Sequence, residues 1–391
     1  MSTNHCVEEA SANNVPRPKR DKSGLVENEL YWRDRQKWLE EKGYLLRSRY
    51  RPDWKPSWEG TKKMSFQCED GLLMAPHPIL DAVRVSDKKM VAIKAIRKSV
   101  HPYEAEIGQY LSSEPLASDR RNHCIPIYDV LQDPYDVDKL LLIMPFLRPY
   151  DNPRFQTVGE AVEFFRQVFQ GLHFMHENHV AHRDCMSLNI MMDPRPLFPD
   201  MYHPRAPNFK FDLSGSAKRY SRTERPTKYY LVDFGLSRRY TADDASPQEL
   251  PILGGDKTVP EFRGAGYNKT WNPFHTDVYY LGNVIKECFL QKYVGLHFLE
   301  DLVGQMVHED PLQRPTMTTV VARFDEICSV LTSYKLRARL MNRWEDGTTR
   351  FLWNIWHMFR TAGYLLRSLP AQPVVDRAEV DTQMTLRMNE V

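Results

Sequence analysis

The chain has 391 residues, a length that suits two or three domains or one two-lobed enzyme. Its 53 Lys and Arg nearly balance 51 Asp and Glu, and a formal net charge of +2 argues against a protein dedicated to binding polyanions. Because 42% of the residues are hydrophobic, the chain can build a sizeable core, which excludes disorder throughout.

Cysteine spacing and hydropathy favour a protein inside the cell. The six cysteines are scattered and include no CxxC pair, so neither a disulfide framework nor a zinc site is indicated. The N-terminus lacks the apolar core of a signal peptide, and the longest apolar run, residues 140–147, is far shorter than the ~20 residues that span a membrane. We expect an intracellular protein, cytoplasmic or nuclear, with no transmembrane segment.

The first 64 residues divide by composition into a tail and an extension. Residues 1–25 are polar and predict a disordered tail, whereas residues 26–64 interleave tryptophan and tyrosine with Arg and Lys. Such aromatic residues can stack on nucleic-acid bases or anchor an extension onto its own domain. The neutral total charge favours anchoring, so the sequence predicts no nucleic-acid partner.

Strand patterns come next and helical patterns follow them. Residues 79–96 alternate apolar and polar around a polar break, which predicts a hairpin, and residues 140–144 predict a second buried strand. Helical spacing of apolar residues predicts helices at 158–175, 276–291, 297–308 and 316–331. We therefore predict an α+β fold, with a small antiparallel β-sheet lobe carrying one helix at residues 65–147 and a larger, mainly α-helical lobe at residues 148–335.

Five ordered motifs lie on these predicted elements. They are Val91-Ala-Ile-Lys94, His182-Arg-Asp-Cys-Met-Ser-Leu-Asn189, Asp233-Phe-Gly235, Val259-Pro-Glu261 and Asp277-Val-Tyr-Tyr-Leu-Gly282. In this order, with Arg314 after them, they resemble the protein kinase superfamily over about residues 65–333. The resemblance implies a bilobal protein kinase-like fold, ATP and Mg²⁺ as cofactors, and a protein as substrate or partner.

The resemblance gives Lys94 the role of contacting the α- and β-phosphates of ATP, held by a carboxylate on the following helix. Two carboxylates qualify, and residues two apart on a helix point to different sides. We choose Glu106, because apolar residues follow it directly, over Glu104.

The resemblance also assigns the catalytic loop. Asp184 would accept the proton of the substrate hydroxyl, and Asn189 and Asp233 would bind Mg²⁺. The alternatives are a helix cap for Asp184 and a turn residue for Asp233. Arg183 would clamp a phosphorylated or acidic activation loop, with an ordinary surface cation as its alternative.

Two further groups of residues receive roles by resemblance. The adenine pocket would be formed by Ile79, Ala92, Met144, Pro145 and Leu147. Structural roles would fall to His182, Phe234, Asp277 and the Glu261–Arg314 pair.

Two departures from the kinase pattern bear on activity. Leu72, Met74 and His77 stand where kinases carry the glycines of the phosphate loop, and without glycine the backbone approaches phosphate less closely. Met186 and Leu188 stand where kinases commonly place a cation after the catalytic Asp. The sequence thus leaves open a slow kinase, with Ser or Thr hydroxyls favoured, and a pseudokinase that binds a nucleotide or a partner. A small-molecule phosphotransferase is a third option, against which the Glu261–Arg314 pair argues.

Two segments lie outside the kinase pattern. The insert, residues 193–228, has six prolines and eight Lys and Arg against four Asp and Glu, which suits either an acidic partner or a solvated loop. In the C-terminal extension, residues 336–391, the amphipathic stretch 351–366 suits either a membrane surface or packing against the helical lobe, and few cations on its polar face favour packing. Residues 369–391 predict a disordered tail. Divergent kinase-like proteins of mushroom-forming fungi look similar in the insert and the Trp-rich extension.

Overall fold

The computed structural model describes residues 25–72, 78–244, 246–252 and 255–375. Most of both predicted tails lies outside the described residues, as do Met74 and His77 of the phosphate loop. Contacts divide the chain into a small unit, residues 1–77 and 81–89, and a large unit, residues 78–80 and 90–391. In the described part of the chain, no helix has both the length and the apolar character needed to cross a membrane.

The small unit holds the Trp-rich extension. Its helices are α1, Glu27–Arg33, and α2, Gln36–Glu41. Strand β1, Tyr44–Leu45, pairs antiparallel with the end of β2, Ile79–Arg84, whose first two residues belong to the large unit. The pairing matches the predicted strand at residue 79 and adds a partner that the sequence did not predict.

Asp70 links the extension to the segment that follows it. Its carboxylate accepts hydrogen bonds from Trp54 Nε1 and from the Ser57 backbone N–H, both at 2.9 Å. The buried Arg49 side chain donates to the Asp70 carbonyl oxygen and pairs with Glu29 at 2.8 Å. Through these contacts the residues around Asp70 belong to the same unit as the extension. The sequence had predicted that the sheet lobe begins before them, at residue 65.

The sheet lobe of the large unit is antiparallel. Strands β3, Met90–Arg97, and β4, Asp129–Gln132, both pair with the central strand β5, Lys139–Pro145. Runs of Val, Ile and Leu favour strands here because both faces of β5 are largely buried. Helix α3, Glu104–Leu111, follows β3, so the predicted sheet lobe with one helix is confirmed.

The helical lobe begins after β6, Arg148–Pro149, with the long helix α4, Val158–Glu177. The hydroxyl of Thr157 caps α4 by accepting a hydrogen bond from the Glu160 N–H at 3.1 Å. Most of α4 is buried, and its phenylalanines form the aromatic centre of the lobe. The next helices are α5, Pro273–Ile285, α6, Glu300–Met306, and α7, Met317–Ser329. Their order confirms the predicted α+β class.

Short strands surround the catalytic loop and fix its ends. Strand β7, Val180–Ala181, pairs with β10, Arg238–Arg239, and β8, Ile190–Met192, lies between β6 and β9, Tyr229–Leu231. The loop that carries Asp184 therefore starts at the end of one pairing and ends at the start of another. This anchoring at both sides determines where its side chains lie.

The insert is packed against the helical lobe over much of its length. The Thr223 N–H and hydroxyl donate to Glu160 at 3.1 and 2.8 Å, and the buried Arg222 donates to the Tyr229 hydroxyl at 2.8 Å. At the other side, the Arg148 guanidinium lies 4.5 Å from the Tyr202 ring. The insert is therefore more buried than the solvated loop considered from the sequence.

The C-terminal extension adds two helices to the lobe. Helix α8, Ser333–Arg337, leads to β12, Met341–Asn342, which pairs with β11, Tyr293–Val294, and then to α9, Gly347–Leu366. Only Tyr364 of α9 is buried. Helix α9 thus contacts the helical lobe through Tyr364, whereas most of its other large apolar side chains are exposed and do not take part in the packing.

Candidate active site

Lys94 lies between two carboxylates. Its Nζ atom is 2.5 Å from Glu104 Oε1 and 2.9 Å from Asp233 Oδ1. Burial disfavours the charged form, but the two carboxylates outweigh it and raise the pKa of Lys94. Lys94 is therefore held as an ammonium ion, which is the form that can bind phosphate oxygens.

The choice of Glu106 as the partner of Lys94 is wrong. Helix α3 begins at Glu104, and its buried face consists of Glu104, Ile107, Gly108 and Leu111, whereas Glu106 is exposed on the other side. The spacing i, i+3, i+4 and i+7 is the signature of one helix face, and it starts at Glu104. Helical periodicity, applied from the first residue of the helix, identifies the correct carboxylate.

Glu104 and Glu106 can be compared directly by replacing each with glutamine. For the phosphate transfer that the kinase resemblance implies, Glu104→Gln should lower kcat/KM by about 10²-fold, because Lys94 loses the charged partner that orients it. Glu106→Gln should stay within about twofold of the unmodified chain, because the side chain is exposed. Initial-rate kinetics on both variants make the comparison, and equal losses would contradict the assignment.

Asp277 of α5 positions the start of the catalytic loop. Its fully buried carboxylate accepts the backbone N–H of His182 at 2.8 Å and that of Arg183 at 2.7 Å. His182 is also fully buried, bonds the Val232 carbonyl through Nε2 at 3.2 Å, and lies against the Phe234 ring at 5.8 Å. These contacts fix the backbone just before Asp184.

Asp184 is held by Asn189, and one of its carboxylate oxygens has no partner in the part of the chain that the structure describes. Asn189 Nδ2 donates to the backbone oxygen and to Oδ2 of Asp184, both at 2.8 Å. In the described residues, Oδ1 is buried without a hydrogen bond. Burial, and to a smaller extent Asp233 and Asp277, raises the pKa of Asp184 to about 6 against the Asn189 hydrogen bond. An unpartnered oxygen with a raised pKa is suited to accepting a proton.

Gly255 lies beside this unpartnered oxygen. Its φ of +65° is in the left-handed region that favours glycine. A Cβ at this position would lie 3.1 Å from Asp184 Oδ1, so any side chain would crowd the oxygen. Glycine avoids this crowding.

Asp233 and Asn189 fit a magnesium ion that brings further ligands with it. The Asp233 side chain is 47% exposed, and the hydrogen bonds that it accepts from Lys94 and from the Gly235 N–H both use Oδ1. Burial opposes its ionisation, but Lys94 and that N–H hold the pKa of Asp233 below its usual value. Asn189 donates through its nitrogen, which leaves its amide oxygen for a cation.

Protein ligands alone would not complete such a site. Across the described residues, no group of three His, Cys, Asp or Glu could hold a metal ion. Mg²⁺ commonly keeps several waters and takes one or two protein ligands together with substrate phosphates, and two protein oxygens are what this site offers. Asp233 also caps the turn that follows it, so the turn role and a metal role are compatible.

The residues assigned to adenine lie mostly on one sheet. Ala92 of β3 pairs with Met144 of β5, and Pro145 ends that strand. Ala92, Met144 and Leu147 are buried, whereas Ile79 at the start of β2 is 41% exposed. The structure thus brings Ala92, Met144 and Pro145 together and leaves Ile79 open to solvent.

The departure in the catalytic loop lies in the described residues, whereas most of the phosphate loop lies outside them. Leu188 is 81% exposed, and no Lys or Arg of the described residues bonds to Asp184. Gly71, the last glycine before the phosphate loop, lies in a turn where a Cβ would clash with the Ser65 carbonyl oxygen. Its role here is close packing within the small unit.

Arg183 contacts the loop that precedes Glu261. It donates to the carbonyl oxygens of Leu236 and Leu250 at 3.3 and 2.8 Å, and it lies 3.4 Å from Glu249 Oε2. Because Arg183 is buried, the surface-cation alternative is wrong. Glu249 gives the loop a carboxylate that faces Arg183, which matches the expectation that Arg183 binds an acidic loop.

The Glu261–Arg314 pair lies deep in the helical lobe. Arg314 Nη1 and Nη2 donate to Glu261 Oε1 and Oε2 at 2.8 and 2.6 Å, and the Thr276 hydroxyl donates to Oε1 at 3.1 Å. Both charged side chains are almost fully buried. The two parallel hydrogen bonds give the pair a fixed geometry.

Sequence reasoning missed Gly255 and Glu249. Both act through contacts with residues more than sixty positions earlier, Asp184 and Arg183. The pair of glycines at 254–255 is typical of a turn, but no neighbouring residue in the sequence indicates that this turn lies beside the carboxylate of Asp184.

Comparisons with known proteins agree with this geometry. Residues 78–251 match the protein kinase domain. The human NUAK family SNF1-like kinase 2 is 32% identical over 117 residues, which cover 28% of this chain and 18% of that protein. The mouse NUAK family SNF1-like kinase 1 is 33% identical over 112 residues, covering 27% of this chain and 17% of that protein. The chain thus spans less than a fifth of the length of either relative.

Proposed function

We propose that this chain, whose residues 78–251 match the protein kinase domain, is an ATP- and Mg²⁺-dependent kinase that phosphorylates a protein hydroxyl, that of Ser or Thr. The observation that carries the proposal is Asp184, a carboxylate held by Asn189 with one buried oxygen that has no partner among the described residues. A general base needs such an oxygen within reach of the proton that it removes.

The side chains divide the chemistry among them. Asp184 Oδ1 accepts the proton of the attacking hydroxyl, while Asn189 keeps the carboxylate oriented. The Lys94 ammonium, fixed by Glu104, binds phosphate oxygens and neutralises part of their charge. Asp233 and Asn189 would hold Mg²⁺, which when bound stabilises negative charge on the phosphates.

Transfer should be slow. Phosphoryl transfer concentrates negative charge on the transferred group, and enzymes stabilise it with fixed cations. Met186 and Leu188 supply none, and losing a contact of this kind lowers the rate by about 10²–10³-fold. The chain retains proton acceptance and phosphate positioning and lacks one source of charge stabilisation.

A second candidate, a pseudokinase that holds a nucleotide or a partner, is favoured by that missing cation. The two candidates share Lys94 and differ in whether Asp184 is used. The predicted compartment, cytoplasm or nucleus, applies to both and stays a prediction.

Nucleotide binding and transfer, measured together, separate the candidates. Mg·ATP should raise the melting temperature of the full chain, and labelled phosphate should pass from ATP to Ser or Thr of a generic protein substrate, identified by phosphoamino-acid analysis. Lys94→Met should lower transfer by about 10²-fold, because it removes the fixed cation at the phosphates.

Lys98→Met is the matched control. Lys98 is exposed, and among the described residues its ammonium group bonds only to Gln132, at 3.2 Å, so its removal should leave transfer unchanged. Binding of Mg·ATP without transfer would reject the enzyme and retain the scaffold. Absence of binding would reject the kinase and a scaffold that holds a nucleotide, and it would leave only a scaffold that holds a partner. Transfer to tyrosine would reject the Ser or Thr assignment alone.

A further inference from the structure

Helix α9 presents its apolar side to solvent. Its large apolar side chains Phe351, Leu352, Trp356, Met358 and Phe359 are each at least 60% exposed. An amphipathic helix in a globular protein normally turns such side chains to the core. We name these five side chains the α9 apolar face.

Polar contacts hold α9 in this orientation. The buried Tyr364 hydroxyl donates to Ser221 Oγ of the insert at 2.7 Å. His357 Nε2 donates to the Arg337 carbonyl oxygen of α8 at 2.9 Å. The polar side of α9 is therefore bound to the lobe, and this binding turns the apolar face outward.

An arginine-lined cleft lies beside the helix. Its volume is about 730 Å³, and α9, the loop before α4 and the insert form its walls. Its charged lining includes Arg154, Arg219, Arg339, Arg360 and one carboxylate, Glu345. Glu345 is paired with Arg339 at 2.7 Å, whereas Arg154 and Arg219 have no carboxylate at ion-pair distance in the described residues.

The surroundings of α9 are strongly basic although the whole chain is nearly neutral. Residues 335–367 contain seven Lys and Arg and two Asp and Glu, a net charge of +5, and the helix itself contains no acidic residue. The exposed Arg343 and Arg350 stand near its N-terminal end, next to the exposed Trp344. Trp and Arg around an apolar face are typical of helices that lie in a membrane interface.

We propose that α9 and the arginine-lined cleft dock this protein on the surface of a bilayer that contains anionic phospholipid. The α9 apolar face enters the boundary between headgroups and acyl chains. The cleft, of a size that holds small molecules, takes a lipid phosphate against Arg154 and Arg219. The insert, through Arg219 and Ser221, is part of this surface, which gives its excess positive charge an acidic partner.

A second copy of the chain fits this surface less well. A two-fold dimer places the same patch of each copy against itself. Here such a contact would bring two basic patches of +5 together and leave Arg154 and Arg219 facing like charges, which disfavours association. Anionic lipid supplies the opposite charge and the apolar layer at once.

Vesicle co-sedimentation of the full chain tests the proposal. Vesicles of phosphatidylcholine containing phosphatidylserine should pellet the protein, with a blue shift of tryptophan fluorescence, and phosphatidylcholine alone should not. The double variant Phe351→Gln with Phe359→Gln should weaken binding at least about tenfold, since two exposed rings no longer enter the bilayer. Arg154→Gln with Arg219→Gln should weaken it by about twentyfold and reduce its dependence on salt.

Matched controls separate docking from folding and from catalysis. Phe66→Gln and Arg51→Gln remove an exposed aromatic ring and an exposed cation from the small unit and should leave vesicle binding unchanged. Asp184→Asn should also bind vesicles normally, so a failed kinase assay would not affect this test. Equal binding to neutral vesicles, or no loss in either double variant, would overturn the proposal. A dimer in sedimentation velocity that the Phe351 and Phe359 substitutions dissociate would overturn it too, in favour of a second copy.

Discussion

Replacing Arg314 by leucine should lower the free energy of unfolding by about 3–5 kcal/mol, because Glu261 is left as a buried carboxylate without its cation. Among the described residues, only the Thr276 hydroxyl would still donate to Glu261, and one neutral hydrogen bond replaces a small part of two charged ones. Urea unfolding followed by circular dichroism should show a lower midpoint with an unchanged slope.

Two further variants test the cause. Arg323→Leu breaks the exposed pair with Asp301, which lies at 2.7 Å, and should cost less than about 1 kcal/mol. Glu261→Leu combined with Arg314→Leu removes both buried charges and should recover much of the loss. If the double variant were as unstable as Arg314→Leu, loss of packing and not an unpaired charge would be the cause.

Asp184→Asn should lower phosphate transfer by about 10²–10⁴-fold and at the same time stabilise the fold. The first effect follows from the loss of the oxygen that accepts the hydroxyl proton. The second follows because the carboxylate is partly buried and lies near Asp233 and Asp277, so its charge is unfavourable in the folded chain. At neutral pH without metal, we expect a gain on the order of 1 kcal/mol, after allowance for contact with solvent.

The stabilisation expected of Asp184→Asn should depend on pH. The pKa of Asp184 is raised to about 6 in the folded chain, above the value of about 4 in the unfolded chain. Between these values the folded state binds more protons, so this contribution to stability is full below pH of about 4 and is lost as the pH rises through about 6. Thermal unfolding in the presence of a chelator should show the loss in the unmodified chain and not in Asp184→Asn.

The exposed Asp200→Asn is the control for charge alone. Asp200 lies in the insert and should change neither transfer nor stability by a measurable amount. If Asp184→Asn were less stable than the unmodified chain, the hydrogen bonds from Asn189 would stabilise the fold by more than the buried charge of Asp184 destabilises it.

Local motifs predicted the part of the site that depends on local geometry. Asp184 and Asn189 are five residues apart on one loop, and the structure joins them by a hydrogen bond. The choice between Glu104 and Glu106 failed because it rested on the residues that follow each glutamate, whereas burial depends on where the helix begins. Counting the helical repeat from Glu104 resolves it.

The surroundings of the site were harder to predict for physical reasons. Gly255 matters because it approaches Asp184 in space, and a single sequence carries no record of that approach. The amphipathic pattern of α9 was visible, but periodicity shows only that a helix has two sides. Which side faces the protein was decided by His357 and Tyr364, whose partners lie in other segments.

The loop before Glu261 carries the negative charge that faces Arg183 as a permanent side chain, Glu249. Glu249 also accepts a hydrogen bond from the Tyr240 hydroxyl at 3.1 Å, and its backbone pairs with Trp271. The carboxylate that faces Arg183 is thus present as soon as the chain is synthesised and folded. Because the charge belongs to a glutamate side chain and not to a phosphoryl group, no kinase is needed to form this contact and no phosphatase can remove it.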